Sequence, residues 1–145
     1  MKKILMLMCL CGAFLSCSKT TENIGLAGNN ANYTIINKTT GEMLGNQGVY
    51  ASVLGEGEVL SVKNGDTLEL VFIPESKYQQ YSWTVDFKLF NDEVVNVAKS
   101  PYKHSFMVND VSPGIYYITC KASINDNDIQ STGHISGSVR VKIVE

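Results

Sequence analysis

Chemistry-bearing residues are scarce in this chain. Its 145 residues include two histidines, His104 and His134, and neither has a metal-ligand neighbour at a useful spacing. No Gly-rich phosphate loop and no nucleophile elbow appear. Cysteine is nearly as sparse: beyond residue 17 only Cys120 remains. With one such thiol that part of the chain can form no internal disulfide, so its core must suffice. A cationic excess is missing too. The formal net charge of −2 argues against a nucleic-acid partner and against electrostatic docking on anionic lipid. The length leaves room for one domain and excludes a multidomain enzyme. No apolar run reaches the roughly 20 residues of a membrane-spanning helix.

What the chain does hold begins at its start. Lys2 and Lys3 precede the uncharged apolar run Ile4–Leu15, twelve residues long. That length fits the core of a secretory signal, about 7–15 residues. The next residues, Phe14-Leu15-Ser16-Cys17, resemble the lipobox of bacterial lipoproteins, with Leu at −2, Ser at −1 and Cys at +1. The strongest form of that motif has Leu at −3, where this chain has Phe14. The resemblance implies a signal over residues 1–16, cleavage before Cys17 and a lipid on its thiol. An ordinary signal cut elsewhere, with Cys17 a plain thiol, is the competing reading. Each buried methylene contributes about 0.8 kcal/mol, so several acyl chains hold a protein firmly on a bilayer. The implied location is the cell envelope, on the outer membrane of a Gram-negative bacterium.

Residues 18–32 are rich in Ser, Thr, Asn and Gly and show no apolar period. With Cys17 they read as a flexible tether over 17–32. Fully extended, fifteen residues would reach roughly 50 Å.

From Tyr33 to the end the apolar period is two. Leu68, Leu70 and Phe72 alternate with Thr67 and Glu69, and Pro74 ends the run. Tyr81, Trp83, Val85 and Phe87 share one face. His104, Phe106 and Val108 share another, which makes His104 a core-side residue. Tyr116, Ile118, Cys120 and Ala122 do the same, and so do Val139, Val141 and Ile143. Shorter strands are expected at Glu58–Val62 and Val94–Ala98. Lys63-Asn64-Gly65-Asp66 is a turn, with Asn-Gly supplying positive φ values. Tyr33–Ile36 reads as a first edge strand, and residues 40–57 as a hairpin or an irregular cover. No stretch beyond the signal carries an amphipathic helix. Short half-apolar strands between polar turns predict an all-β, antiparallel two-sheet sandwich of about seven strands over residues 33–145.

Three segments carry a further resemblance. Val62–Leu70 resembles the turn into strand B of immunoglobulin-like bacterial modules, with Leu70 in its core. Tyr81-Ser82-Trp83-Thr84-Val85 resembles their strand C with its core tryptophan. Pro113-Gly114-Ile115-Tyr116-Tyr117-Ile118-Thr119-Cys120 resembles strand F of PKD domains. The likeness spans residues 58–145 and implies a PKD-like or Ig-like sandwich. Trp83-Thr84-Val85-Asp86 lacks the glycines of the PKD motif, and Leu70 stands where an antibody domain has a cysteine. The resemblance implies a tyrosine corner, in which Tyr116 bonds back to the chain near Asp110–Gly114.

Candidate ligand groups lie in one loop, expected between Asn125 and Ser136. Asn125, Asp126, Asn127, Asp128 and Gln130 offer amides and acids for a polyol, or for a hydrated cation such as Ca²⁺. Asn and Asp also favour plain turns. Cys120, mid-strand on the apolar face, reads as packing. Tyr78, Tyr102 and Tyr117 are candidates for stacking on sugar rings or a partner protein. The expectation is a lipid-anchored binding or spacer module that recognises a glycan or a protein and is not an enzyme. The alternative is a structural part of an envelope, secretion or pilus-type assembly, docking by a sheet edge.

Overall fold

The computed structural model describes residues 22–26, 32–46, 58–126 and 129–145. The expected signal (1–16), Cys17, Asn127 and Asp128 lie outside the described residues. Eleven strands follow one another: β1 (Glu22–Leu26), β2 (Tyr33–Asn37), β3 (Met43–Gly45), β4 (Leu60–Lys63), β5 (Thr67–Phe72), β6 (Trp83–Lys88), β7 (Val94–Val97), β8 (Tyr102–Met107), β9 (Gly114–Ile124), β10 (Ile129–Gly133) and β11 (Ile135–Val144). The helical content of the described residues is one 3-10 turn, Ser76–Tyr78.

The fold is an all-β sandwich. One sheet has the order β4-β11-β9-β6-β7 and the other β3-β2-β5-β8, while β1 and β10 form a separate ribbon. The period of two places the core. β5 buries Leu68, Leu70 and Phe72, and β6 buries Trp83, Val85 and Phe87. β9 buries Ile118, Cys120 and Ala122, and β11 buries Val139, Val141 and Ile143. Full burial of a large apolar side chain contributes roughly 1.5–3 kcal/mol, so these rows dominate the stability. Tyr33 on β2 reaches across the layers and donates its hydroxyl to the Ile118 carbonyl on β9, 3.2 Å away.

The expected strand pattern holds for β5 to β9 and for β11 and needs correction elsewhere. The sheets are not wholly antiparallel: β4 runs parallel to β11, and β1 parallel to β10. The two packed sheets hold nine strands among the described residues, not about seven. Tyr33–Ile36 is no edge, because β2 lies between β3 and β5. The expected tether is interrupted by β1, whose Leu26 is buried in the core. The expected 125–136 loop is largely strand, because Ile129–Gly133 pairs with Glu22–Leu26. Gly133 explains part of this. It has φ +80, and a Cβ there would collide with the Leu26 carbonyl. Only glycine lets the two backbones approach so closely.

The Lys63–Asp66 turn also differs from expectation. Gly65 has φ +100, but Asn64 is not among the positive-φ residues. Asp66 N–H donates to the Lys63 carbonyl at 3.0 Å. A positive φ at the third position alone is type II geometry, which suits a link between layers better than a hairpin. β4 and β5 do belong to different sheets. The buried Asp66 carboxylate accepts from Lys63 N–H at 2.9 Å and from Asn37 Nδ2 at 2.8 Å. Asn37 Oδ1 in turn accepts from the N–H groups of Thr39 and Thr40. This network satisfies a buried charge, which would otherwise be strongly destabilising.

At the β8–β9 corner Tyr116 donates its hydroxyl to the Ser112 carbonyl at 2.8 Å. That is the back-bond the tyrosine-corner resemblance implies.

Candidate functional site

The sandwich has two poles. One carries the β5–β6, β7–β8 and β9–β10 connections, and the other carries the β4–β5, β6–β7 and β8–β9 turns. The first pole is built around Trp83. Its indole Nε1 donates to the Tyr78 carbonyl at 3.1 Å, and its backbone N–H donates to the Tyr102 hydroxyl at 3.0 Å. Phe72 lies against the indole with ring centroids 5.4 Å apart. Tyr78 packs on both Trp83 and Tyr81. These contacts fix the β5–β6 connection: Pro74 stops β5, and the 3-10 turn lays Tyr78 over the tryptophan. Gln79 Nε2 donates to the Pro74 carbonyl at 2.9 Å and closes the segment on itself. Lys77 stands over the Tyr78 ring, 5.0 Å from its centroid.

Beside this segment the β7–β8 connection, Ala98–Pro101, contains a cis Ser100–Pro101 bond. The two connections and the outer face of β5 enclose an open groove of about 790 Å³. Tyr81, Gln79, Ser82, Lys99, Ser100 and Ile73 form its pole side. Glu69, Val71 and Lys103 form its floor along the sheet. Glu69 pairs with Lys103 at 3.7 Å and Lys38 at 4.0 Å, so its charge is shared rather than isolated. Ile73 is 53% exposed. A smaller hollow of about 290 Å³ lies at the opposite pole, beside Phe90, Phe106 and Val111.

The expected site residues fall in several places. Asn125 N–H donates to the Ser82 carbonyl at 2.7 Å, which ties the end of β9 to the groove wall. Asp126 is half-buried beside it. Gln130 lies on β10, inside the β1 ribbon rather than in a free loop. Among the described residues no three His, Cys, Asp or Glu side chains gather as metal ligands. Tyr102, expected near the surface, is buried, because its hydroxyl serves Trp83 and its ring meets Phe72. Tyr117 lies on the outer face of the five-stranded sheet, opposite Arg140. His104 pairs with Leu70 across the ladder and stacks on Phe106, a packing role.

Cys120 is buried on β9. Burial, and secondarily the charge of Asp86, push its thiol up to about 12. It is therefore protonated at neutral pH, and a nucleophile needs the thiolate.

Sequence reasoning missed Gln79, Tyr81, Ser82, Lys99 and Ser100 as neighbours in one groove. The available signal was Pro74 and Pro101, which punctuate two connections that the topology brings to the same pole. No protein-family model matches this chain, and a search of curated proteins finds no match.

Proposed function

We propose that this chain is a lipid-anchored, Ig-like binding module of the cell envelope that takes a glycan in the groove beside Tyr81. The groove carries this reading. It offers one aromatic face, an amide from Gln79, hydroxyls from Ser82 and Ser100, and the Lys99 ammonium within one open hollow. That mixture suits a polyol ring, which stacks on an aromatic face and hydrogen-bonds at its rim. The Ig-like part rests on the strand order β11-β9-β6-β7, on Trp83 in the third of these and on the Tyr116 corner. Lipid anchoring rests on the lipobox resemblance at Cys17.

The test is a glycan array probed with the mature chain made soluble by Cys17→Ala, followed by titration of the best hit. Tyr81→Ala is expected to weaken that binding at least tenfold, equal to about 1.4 kcal/mol. The thermal melt should move little, because Tyr81 is only half-buried. Binding unchanged by Tyr81→Ala would remove the groove from consideration.

One observation favours a second reading, docking by a sheet edge. β7 (Val-Val-Asn-Val) ends the five-stranded sheet, carries no charge or proline, and leaves Val94 57% exposed. Bare edges of this kind accept another strand. Loss of complex formation on Val95→Pro, with glycan binding intact, would select it.

The anchoring half has its own expected result. Cys17→Ala should move the protein wholly from the membrane to the soluble fraction and abolish uptake of a fatty-acid label. A wild-type chain that takes up no label overturns it.

A further inference from the structure

The ribbon of β1 and β10 fixes where the chain enters the sandwich. β1 runs parallel to β10, with Glu22 opposite Ile129 and Leu26 opposite Gly133. Ile129 follows β9 by only a short connection, and Asn125 at its start is bonded to Ser82 on the groove wall. The chain therefore enters the molecule at the groove pole. The entry is fixed rather than loose: Leu26 is buried in the core, and Gly133 is the one residue type that admits its backbone.

We infer that the groove pole faces the bilayer that holds the lipid on Cys17. The inference rests on the reading of Cys17 as the lipidated residue. A free leader of fifteen residues would reach about 50 Å, more than the length of the sandwich. β9 has eleven residues, about 36 Å at 3.3 Å per residue. Such a leader would let either pole approach the surface. With β1 docked, four residues separate Cys17 from Glu22, and the five steps between them reach about 17 Å. Full inversion would then drive the sandwich into the bilayer.

The groove pole also has the side chains that an interface accepts. Ile73 is exposed, Tyr78 and Tyr81 are half-exposed, and Lys77 and Lys99 stand among them beside Glu75. Aromatic rings and lysines with long apolar stems are suited to the headgroup level. The opposite pole presents Asp92, Glu93 and Asp110 beside Lys63 and Lys88, with Val94 and Met107 exposed, so the short reach from Cys17 to β1, and not a contrast in surface chemistry, sets the orientation. Whatever enters the groove is thus met at the membrane surface.

The experiment uses the full-length lipidated chain in liposomes. Lys99→Cys at the groove pole and Glu93→Cys at the far pole are labelled separately with one fluorophore; Cys120 is buried and the Cys17 thiol is occupied. A lipid with a headgroup quencher should quench the residue-99 label at least threefold more than the residue-93 label. Gly133→Val, which forces Leu26 and β1 away, should bring the ratio towards one. Equal quenching in the parent, or stronger quenching at 93, overturns the orientation while leaving anchoring intact. A ratio unaffected by Gly133→Val overturns the role of β1. A chain that takes up no fatty-acid label overturns the anchoring reading and this inference with it.

Discussion

Trp83→Ala is expected to cost about 3–5 kcal/mol of folding stability, the range for deleting a large buried ring. A small domain has about 5–15 kcal/mol in total, so the variant would be marginal at best. Three losses combine. The indole is fully buried, and removing it leaves a hollow between Phe72, Tyr78 and Tyr102. The Tyr78 carbonyl loses its Nε1 donor. The 3-10 turn loses the surface on which it rests, so the groove wall loosens as well. Trp83→Phe separates these effects. It keeps the phenyl part of the apolar contact and removes the donor with the rest of the indole, for about 1–3 kcal/mol. Urea melts followed by near-UV circular dichroism measure both. Trp83→Ala within 1 kcal/mol of the parent would show that the pole is not built on this residue.

Trp83 also marks where the sequence was legible. Strands with one apolar face were readable because their buried and exposed residues alternate without interruption: Leu68-Glu69-Leu70, Trp83-Thr84-Val85 and Ile118-Thr119-Cys120. The two-sheet architecture follows, since each such strand must cover its apolar face against another. β1 was not legible. Glu22-Asn23-Ile24-Gly25-Leu26 shows no sustained alternation of apolar and polar residues in sequence, and it pairs with a segment over a hundred residues away. Polar Asn, Ser and Thr on the two partners read as linker and loop because backbone pairing leaves no apolar period. The parallel β4–β11 pair was invisible for a similar reason: pairing partners and direction depend on the whole topology, not on local pattern. The groove was missed because its walls come from two connections and one outward strand face, none of which has a motif of its own. Asp66 and Asn37 were missed because a buried polar pair has the same one-dimensional signature as a surface turn.

Stability is expected to fall steeply above pH 9, and Cys120 is the main cause. Burial first, and the charge of Asp86 second, raise its thiol from 9.0 to about 12. Burial also raises the Tyr33 phenol well above 10.0, and the neighbouring Cys120 adds to the shift. The unfolded chain releases the cysteine proton near pH 9 and the tyrosine proton near pH 10, while the folded chain keeps both. The folded state then binds more protons than the unfolded one, so each rise in pH favours unfolding. Below pH 9 both states are protonated at Cys120, and its contribution is constant. Between pH 9 and 12 Cys120 alone removes about 1.4 kcal/mol per unit, about 4 kcal/mol in all. That is comparable with the Trp83→Ala loss and a large part of a small domain's stability. Cys120→Ala removes the thiol and leaves a small apolar side chain in its place. It should be mildly less stable than the parent at pH 7 and more stable at pH 11, so the two curves cross. Tyr33→Phe should flatten what slope remains above pH 10, although it gives up the bond to Ile118. Urea melts at pH 7, 9, 10 and 11 are the measurement. Parallel curves for the parent and Cys120→Ala from pH 9 to 11 would mean that Cys120 is not the group that titrates on unfolding.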